Sequence, residues 1–307
     1  MIIGILINSI ILMAIIMYIG FYLRNKGVLN DEGEGVLIYL LVNITTPAMV
    51  INAMNIDFSI EQLKTGAVLL LISSVFIILL ILLENILLPK TKDIEKEKIE
   101  KYTAVLLNGG FMGFPLAYQI YGSEGLFYAT MFHVPNLLFM WTYGTSVLLG
   151  KKKIKNRYKL LLINPGMIGV YIGLILYFSQ LKLPLFLTNL LDLLTNATTF
   201  LSMIIIGSKI AIIGIKDSFI DKETYPSTFF RLVVSPLLMI IIMKLLKIGG
   251  MVGQIYVMYA ALPVAALVPI LAQKYGGDVV FASKAVVINH LLSLFTIPFF
   301  VWLFNVL

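Results

Sequence analysis

The sequence predicts an all-α integral membrane protein with ten transmembrane helices, arranged as two five-helix repeats of opposite orientation. Three observations lead to this fold class. The 307-residue chain is 60% hydrophobic and only 13% charged, with a mean hydropathy of +0.97, whereas soluble domains are about 45–50% apolar. Its apolar stretches are long enough to cross a bilayer. Two pairs of short segments also recur half a chain apart.

Ten stretches of the chain qualify as membrane spans, because a bilayer crossing takes about 20 mostly apolar residues. The first has no basic residue before it and runs for about 22 residues, longer than the roughly 7–15 residues of a signal-peptide core. We therefore expect it to be a retained transmembrane helix. The predicted spans cover residues 1–23, 35–55, 65–88, 100–121, 125–149, 160–179, 188–213, 227–246, 252–273 and 280–304.

The loop charges predict that both termini lie outside the plasma (inner) membrane. Cytoplasmic loops collect lysine and arginine. With the N-terminus outside, 17 of these residues fall in or near inside loops, and outside loops hold only Lys64, Lys182, Lys244 and Lys247. The inside loop KKKIKNRYK, at 151–159, would lie beside anionic lipid. The net charge of +7 thus indicates membrane lipid as a partner, and we predict no nucleic-acid binding.

Two pairs of segments indicate an internal repeat. NITTP begins at Asn43 and NATTF at Asn196, while FPLAYQIYGSE begins at Phe114 and VPILAQKYGGD at Val268. The predicted repeats are residues 1–150, entered from outside, and residues 151–307, which end outside. Because each holds five spans, the second enters from the opposite face, as in many secondary transporters. A duplicated structural bundle without transport is the alternative.

Spans four and nine carry residues that interrupt helices. Span four contains NGGFMGFPLAYQIYG, from residue 108 to 122, and span nine contains ALPVAALVPILAQ, from residue 261 to 273. Pro115 in the first and Pro263 and Pro269 in the second cannot donate a backbone hydrogen bond, and glycine lets the backbone unwind and approach a ligand. Simple kinks are the alternative interpretation. Paired breaks instead predict that two new half-helices start near the membrane midplane.

Those half-helix starts predict an anion site made of backbone. Their first amides are unpaired and their dipole ends are positive, and such ends bind anions. The arginines Arg24, Arg157 and Arg231 lie in or near predicted loops, so the site needs no arginine. The simplest ligand is an organic anion with a carboxylate.

Several side chains and glycines around the breaks are candidate binding residues. The amide of Asn108 either donates to the carboxylate or satisfies a freed carbonyl. Asn43 and Thr46 in span two either line the site or hold helices together. The predicted substrate-binding set is Asn108, Gly109, Gly110, Gly113, Asn43, Thr46, Ala265 and Ala266.

A few ionisable residues lie inside the predicted spans. His133 and His290 are the two histidines of the chain, and each either carries a coupled proton or packs through hydrogen bonds. We expect Lys209 and Lys284, which lie toward span ends, to extend to the membrane surface.

The pattern N-x-x-x-x-G-x-P-L with a following Y-G, seen in NGGFMGFPLAYQIYG, resembles the auxin efflux carrier family. AALPVAALVPILAQKYGGD in the second half resembles it too. That family includes plant PIN-FORMED carriers and bacterial malate-permease-like proteins. The resemblance implies a scaffold and a transport domain, spans four and nine that cross at Pro115 and Pro269, an elevator motion, a homodimer, and contact between Asn108 and the substrate carboxylate. The long hydrophilic loop of the plant carriers is missing here.

The predicted function is a secondary transporter or uniporter of organic anions. A sodium- or proton-coupled symporter is one alternative, and a ligand-sensing membrane protein without transport is another. Sodium coupling ranks lower because spans four and nine carry no internal acidic residue. The sequence lacks H-E-x-x-H, P-loop and G-x-S-x-G motifs, so we predict no enzymatic activity. With no cysteine, thiolate metal sites are excluded, and we predict no metal and no cofactor.

Overall fold

The computed structural model describes residues 2–89, 91–150 and 163–307. The predicted basic loop at 151–159 lies outside the described residues. The elements are α1 (Ile2–Asn25), α2 (Asp31–Met54), α3 (Ile60–Leu87), α4 (Ile94–Val105), α5 (Phe114–Phe139), α6 (Thr145–Leu149), α7 (Pro165–Ser179), α8 (Leu185–Ile213), α9 (Ile215–Ile220), α10 (Lys222–Leu245), α11 (Gly250–Ala260), α12 (Val268–Tyr275) and α13 (Val279–Val306). Short π-helical turns, Gly109–Gly113 and Met140–Gly144, flank α5, which consists of two helical parts that meet at a kink at Gly122, where φ is +64°.

Among the described residues, six helices are long and apolar enough to cross a membrane, namely α1, α2, α3, α8, α10 and α13. They coincide with predicted spans one, two, three, seven, eight and ten. A seventh apolar helix, α7, is shorter. The predicted class, an all-helical protein embedded in the membrane by several passes, is confirmed. The arrangement of ten spans in two inverted repeats stays a prediction.

Predicted spans four and nine are interrupted, but not at their prolines. Helix α4 ends at Val105 and the chain turns helical again at Gly109, while α11 ends at Ala260 and α12 begins at Val268. Pro115 and Pro269 lie in the first turns of α5 and α12. Proline is tolerated there because a first-turn amide has no partner within the helix anyway. Each interruption therefore precedes its proline, and only Pro263 lies within one.

The two interruptions are hydrogen-bonded to each other. Leu107 and Val264 form an isolated antiparallel β-bridge. The amide of Asn108 donates to the carbonyl of Pro263 at 2.8 Å, and the amide of Ala265 donates to the carbonyl of Leu106 at 3.3 Å. Unpaired backbone groups cost several kcal/mol each in an apolar membrane. Each non-helical segment thus supplies partners that the other needs.

Helices α1 and α8 pack backbone to backbone through two glycines. A Cβ atom added at Gly207 would lie 1.9 Å from the carbonyl oxygen of Met17, and one added at Gly20 would lie 2.2 Å from that of Ile204. Small residues allow this close approach between membrane helices, whose association depends on packing and hydrogen bonds because lipid is as apolar as the helices.

Two lysines toward the ends of membrane helices form ion pairs with acids on neighbouring segments. Lys209 on α8 pairs with Glu34 on α2, and Lys284 on α13 contacts Asp221 at 2.8 Å. Both lysine side chains stay partly exposed, at 22% and 24%, so the expectation that they extend to the membrane surface stays a prediction. The Lys209 pair, together with a 2.9 Å hydrogen bond from Asn52 to Asp192, joins α2 to α8 near both ends.

We predict that Gly207→Ala destabilises the protein, because the new methyl group must push the backbone of α1 away from α8. Overpacking of this kind costs about 1–3 kcal/mol. Gly4→Ala on α1 is the matched control, since a Cβ there meets nothing within 4 Å. The measurement is the unfolding midpoint of the detergent-purified protein, and equal midpoints for the two variants would contradict the close packing.

Candidate functional site

A cavity lies where the two interruptions meet. It encloses about 830 Å³ of non-atom space, counting its open side. Asn108, Gly109 and Gly110 from the first interruption and Ala265 and Ala266 from the second line it together. The remaining walls come from α2, α5, α7 and the turn after α5, and they are mostly apolar, with Val42, Val50, Phe111, Phe114, Leu137, Met140, Trp141 and Val170 among them.

Backbone amides add to the polar side chains of this cavity, which are those of Thr46, Asn108, Thr130, His133, Asn136 and Asn164. Among the described residues, no hydrogen-bond acceptor is found for the amides of Gly109, Gly110 and Phe111, or for those of Ala266 and Leu267. These are the starts of the two new helical segments, where the amides lack intrahelical partners and the dipole end is positive. No Asp, Glu, Lys or Arg belongs to the described lining. The arrangement offers donors and positive potential in apolar surroundings.

Two of the glycines are needed because side chains lie against them. A Cβ at Gly109 would be 2.4 Å from Nδ1 of His133, and one at Gly113 would be 2.7 Å from both Tyr259 and Leu262. At Gly110, by contrast, the nearest atom would be Nε2 of His133 at an ordinary 3.5 Å. Gly110 therefore has room for a side chain only on the cavity side.

The side chain of Asn108 contacts His290. Its Nδ2 lies 2.9 Å from Nε2 of that ring, and Nδ1 of His290 lies 2.8 Å from the carbonyl oxygen of Val286. A carbonyl can only accept, so Nδ1 carries the proton, and Nε2 of the neutral ring accepts from Asn108. Of the two predicted roles for Asn108, neither includes this histidine. Its backbone carbonyl also accepts from Met112 and Gly113, each at 3.2 Å.

The other predicted binding residues divide between the cavity and its surroundings. Thr46 lines the cavity, and its buried hydroxyl has no partner in the described part of the chain. Asn43, one turn earlier, is exposed and donates to the carbonyl of Tyr39 at 2.9 Å. Gly113 packs on Tyr259 and Leu262. Neither Asn43 nor Gly113 belongs to the lining.

The histidines and prolines also occupy different places. His133 lines the cavity, and its buried Nδ1 has no hydrogen-bond partner among the described residues. His290 lies behind Asn108 and does not belong to the lining. Pro115, Pro263 and Pro269 are likewise outside it. Of the three, only Pro263 lies within an interruption, and the other two lie in the first turns of the helices that follow.

Sequence reasoning misplaced Arg231. This residue lies inside α10 and is fully buried, not in or near a loop. Its guanidinium donates to the carbonyl of Val105 at 2.9 Å, to the carbonyl of Ala260 at 2.6 Å, and to Ser235. Val105 and Ala260 are the last residues of α4 and α11. Its position within the apolar run FFRLVVSPLL of predicted span eight could have indicated that this arginine lies inside a helix.

Two further residues near the first interruption were not in the predicted set. Asn136 on α5 brackets Leu107, accepting from its amide at 3.3 Å and donating to its carbonyl at 3.2 Å. Glu100 is buried in α4. Glu100 is the first residue of predicted span four and lies before the interruption, so the lower rank of sodium coupling stays a prediction.

These helices and this cavity define a multi-pass α-helical membrane protein with an internal, mostly apolar cavity. A family model described as "Membrane transport protein" matches residues 5–160 and 152–301, and the chain belongs to this family of membrane transporters. The membership confirms the resemblance to auxin efflux carriers.

Archaeal relatives are similar along nearly the whole chain. An uncharacterized transporter of Methanocaldococcus jannaschii is 25% identical over an alignment of 310 positions, which covers 96% of this chain and 98% of the relative. An uncharacterized transporter of Methanothermobacter thermautotrophicus is 24% identical over 297 residues, covering 95% of this chain and 96% of the relative.

We predict that Asn108 and His290 stabilise the fold as a coupled pair. Asn108→Ala leaves the buried Nε2 without its donor, which costs about 1–3 kcal/mol, and His290→Leu removes the same contact from the other side. The double variant should therefore lose less stability than the sum of the single losses. The measurement is unfolding in SDS followed by circular dichroism.

The control for this cycle is Asn85→Ala, since Asn85 bonds only to its own helix at an exposed position. It should change stability by less than about 0.5 kcal/mol. Strictly additive losses for Asn108 and His290 would show that their contact carries no energy.

Proposed function

We propose that this transporter is a secondary transporter or uniporter of organic anions, and that it binds a carboxylate where the two interruptions meet. The observation that supports this most directly is the convergence of two helical starts, with unpaired amides, on one cavity. Backbone donors at helix N-termini are a recurrent anion site. In broken-helix transporters such ends face the anionic group of the substrate.

The proposed contacts follow from the lining. The amides of Gly109 and Gly110 on one side, and those of Ala266 and Leu267 on the other, bind the carboxylate. The hydroxyl of Thr46 donates to it as well. The hydrocarbon part of the anion packs on the apolar walls, among them Phe111 and Trp141. Because apolar walls lower the local dielectric constant, they strengthen each charge–dipole contact.

We extend the proposal to the architecture. Residues 1–150 and 151–307 form two inverted five-helix repeats with both termini outside the plasma membrane. The segments α4–α5 and α11–α12 cross, and the protein works as a homodimer with its basic loops beside anionic lipid. The mutual hydrogen bonds of the interruptions support joint movement of these segments. We propose that they move against α2 and α7 in an elevator-type motion.

A second candidate function is proton-coupled anion transport, favoured by the contact between Asn108 and His290. With His290 neutral, Nε2 accepts from the Asn108 amide. A protonated ring would present an N–H instead, so the amide must turn and offer its oxygen to His290. The turn exchanges Oδ1 and Nδ2 of Asn108 beside the cavity. Protonation at His290 thereby favours a bound anion.

Transport is tested in liposomes that contain the purified protein. Labelled acetate, butyrate, benzoate, indole-3-acetate, malonate and malate are offered under an imposed potential and, separately, under a pH gradient. Saturable flux of at least one anion is expected. Flux of none of them, with binding of none, would refute the proposal, and binding without flux would favour a ligand-sensing protein. Replacing sodium by choline should leave the flux unchanged. A loss of flux would show that transport is coupled to sodium.

We predict opposite effects for two neighbouring glycines. Gly110→Ala adds a methyl group on the cavity side, so it should weaken anion binding about tenfold or more while leaving thermal stability within a few degrees. Gly113→Ala pushes against Tyr259 and Leu262 and should mainly destabilise the fold. Affinity is measured by calorimetry and stability by thermal unfolding. If one variant showed the greater loss in both affinity and stability, the anion would not bind beside Gly110.

A proton-coupled cycle predicts faster uptake when the outside is more acidic than the inside, because protonation at His290 then accompanies loading. His290→Asn should abolish this dependence on the gradient while some downhill flux remains. His133→Asn is the matched control, since His133 has no bond to Asn108. A gradient response that survives in His290→Asn would remove this histidine from coupling.

A further inference from the structure

Arg231 connects three elements at the centre of the molecule. From α10 it donates to the carbonyl of Val105, which ends α4, and to the carbonyl of Ala260, which ends α11. Ser235, one turn further along α10, accepts from Arg231 and donates to the same Ala260 carbonyl at 2.8 Å. One guanidinium thus contacts the C-terminal ends of both helices that precede the interruptions.

This arginine has no acidic partner. None of the ion pairs within the part of the chain that the structure describes includes Arg231, and the side chain is fully buried. A buried charge without compensation is strongly destabilising. Guanidinium stays protonated in proteins. Its compensation must therefore come from groups other than carboxylates, and helix ends are the groups it contacts.

The helix ends supply a matching negative potential. The C-terminus of a helix carries roughly half a negative elementary charge and the N-terminus roughly half a positive one. The ends of α4 and α11 together amount to about one negative charge, which the single positive charge of Arg231 offsets. The two helical starts that line the cavity then remain as about one positive charge.

We propose that Arg231 is the positioning and charge-balancing residue of the two interruptions, and that it leaves the cavity matched to an anion with one negative charge. The inference rests on the proposed anion site, and it deepens that function by naming the charge of the substrate. Arg231 does not line the cavity, so it acts through the helix ends and not by touching the anion. A second carboxylate would find no charged side chain among the described lining.

The positioning role is tested by hydrogen–deuterium exchange without any ligand. In Arg231→Gln the amides of Asn108 and Ala265, which join the interruptions, should exchange about tenfold faster or more, while amides of α3 keep their rates. Arg231→Lys retains the charge but not the forked geometry. Its exchange rates at these amides should lie between those of the wild type and those of Arg231→Gln. Arg24→Gln, at an ion pair on the surface, controls for losing a positive charge.

The charge-balancing role is tested with butyrate and succinate, which share a four-carbon chain but carry one and two carboxylates. Calorimetry should show the wild type binding butyrate about tenfold tighter than succinate. Arg231→Lys and Arg24→Gln should keep this preference. Arg231→Gln should weaken butyrate binding by about tenfold, because the negative helix ends are then uncompensated.

The outcomes separate this inference from the proposed function. Unchanged exchange at Asn108 and Ala265 in a folded Arg231→Gln protein would overturn the positioning role. If that variant fails to fold, unchanged exchange in Arg231→Lys does the same. Equal affinity for butyrate and succinate in the wild type, or unaltered butyrate affinity in Arg231→Gln, would overturn the charge balance. Absence of binding and flux for every anion would instead count against the proposed function, and the exchange result would still stand.

Discussion

The structure depends on one exchange of backbone hydrogen bonds, between two segments that leave helical geometry inside the membrane. A single interrupted helix would expose amides and carbonyls that lipid cannot satisfy. Here Asn108 donates to Pro263, Ala265 donates to Leu106, and Leu107 bridges Val264. Neither interruption would be stable in the membrane without the other. This mutual requirement gives a physical reason for two glycine- and proline-rich segments to occur half a chain apart.

The candidate site contains the backbone groups that this exchange of hydrogen bonds does not satisfy. The carbonyls that end α4 and α11 accept hydrogen bonds from Arg231, whereas no acceptor is found among the described residues for the amides that start the next helical segments, and the residues that carry those amides line one cavity. The two kinds of helix end therefore differ. The negative C-terminal ends of α4 and α11 contact the positive charge of Arg231, whereas the positive N-terminal ends of the next segments border the cavity. An anion in the cavity would accept hydrogen bonds from the amides for which the described residues offer no acceptor.

Much of the helical layout follows from hydropathy, because six long apolar runs can do little else than span a membrane. The interruptions were predictable in region but not in position, since Pro115 and Pro269 fit the first turn of a helix and break nothing there. Arg231 was missed because its positive charge was read as a loop signal. The contact between Asn108 and His290 joins residues 182 positions apart, and no local pattern encodes it. Asn43 and Thr46 were indistinguishable in sequence, and only the faces of α2 separate them.

The packing around the cavity also bears on how it would open. On one wall, α2 and α7 are in close contact, since a Cβ at Gly169 would lie 2.9 Å from the backbone of Pro47 and one at Gly173 would lie 2.8 Å from Met54. On the other wall, the interruptions are tied to each other and to α10 and α13. Each wall is held together by its own contacts, and the cavity lies between parts of the two walls. Relative movement of the two walls would change the shape of the cavity without breaking the hydrogen bonds that hold the interruptions together.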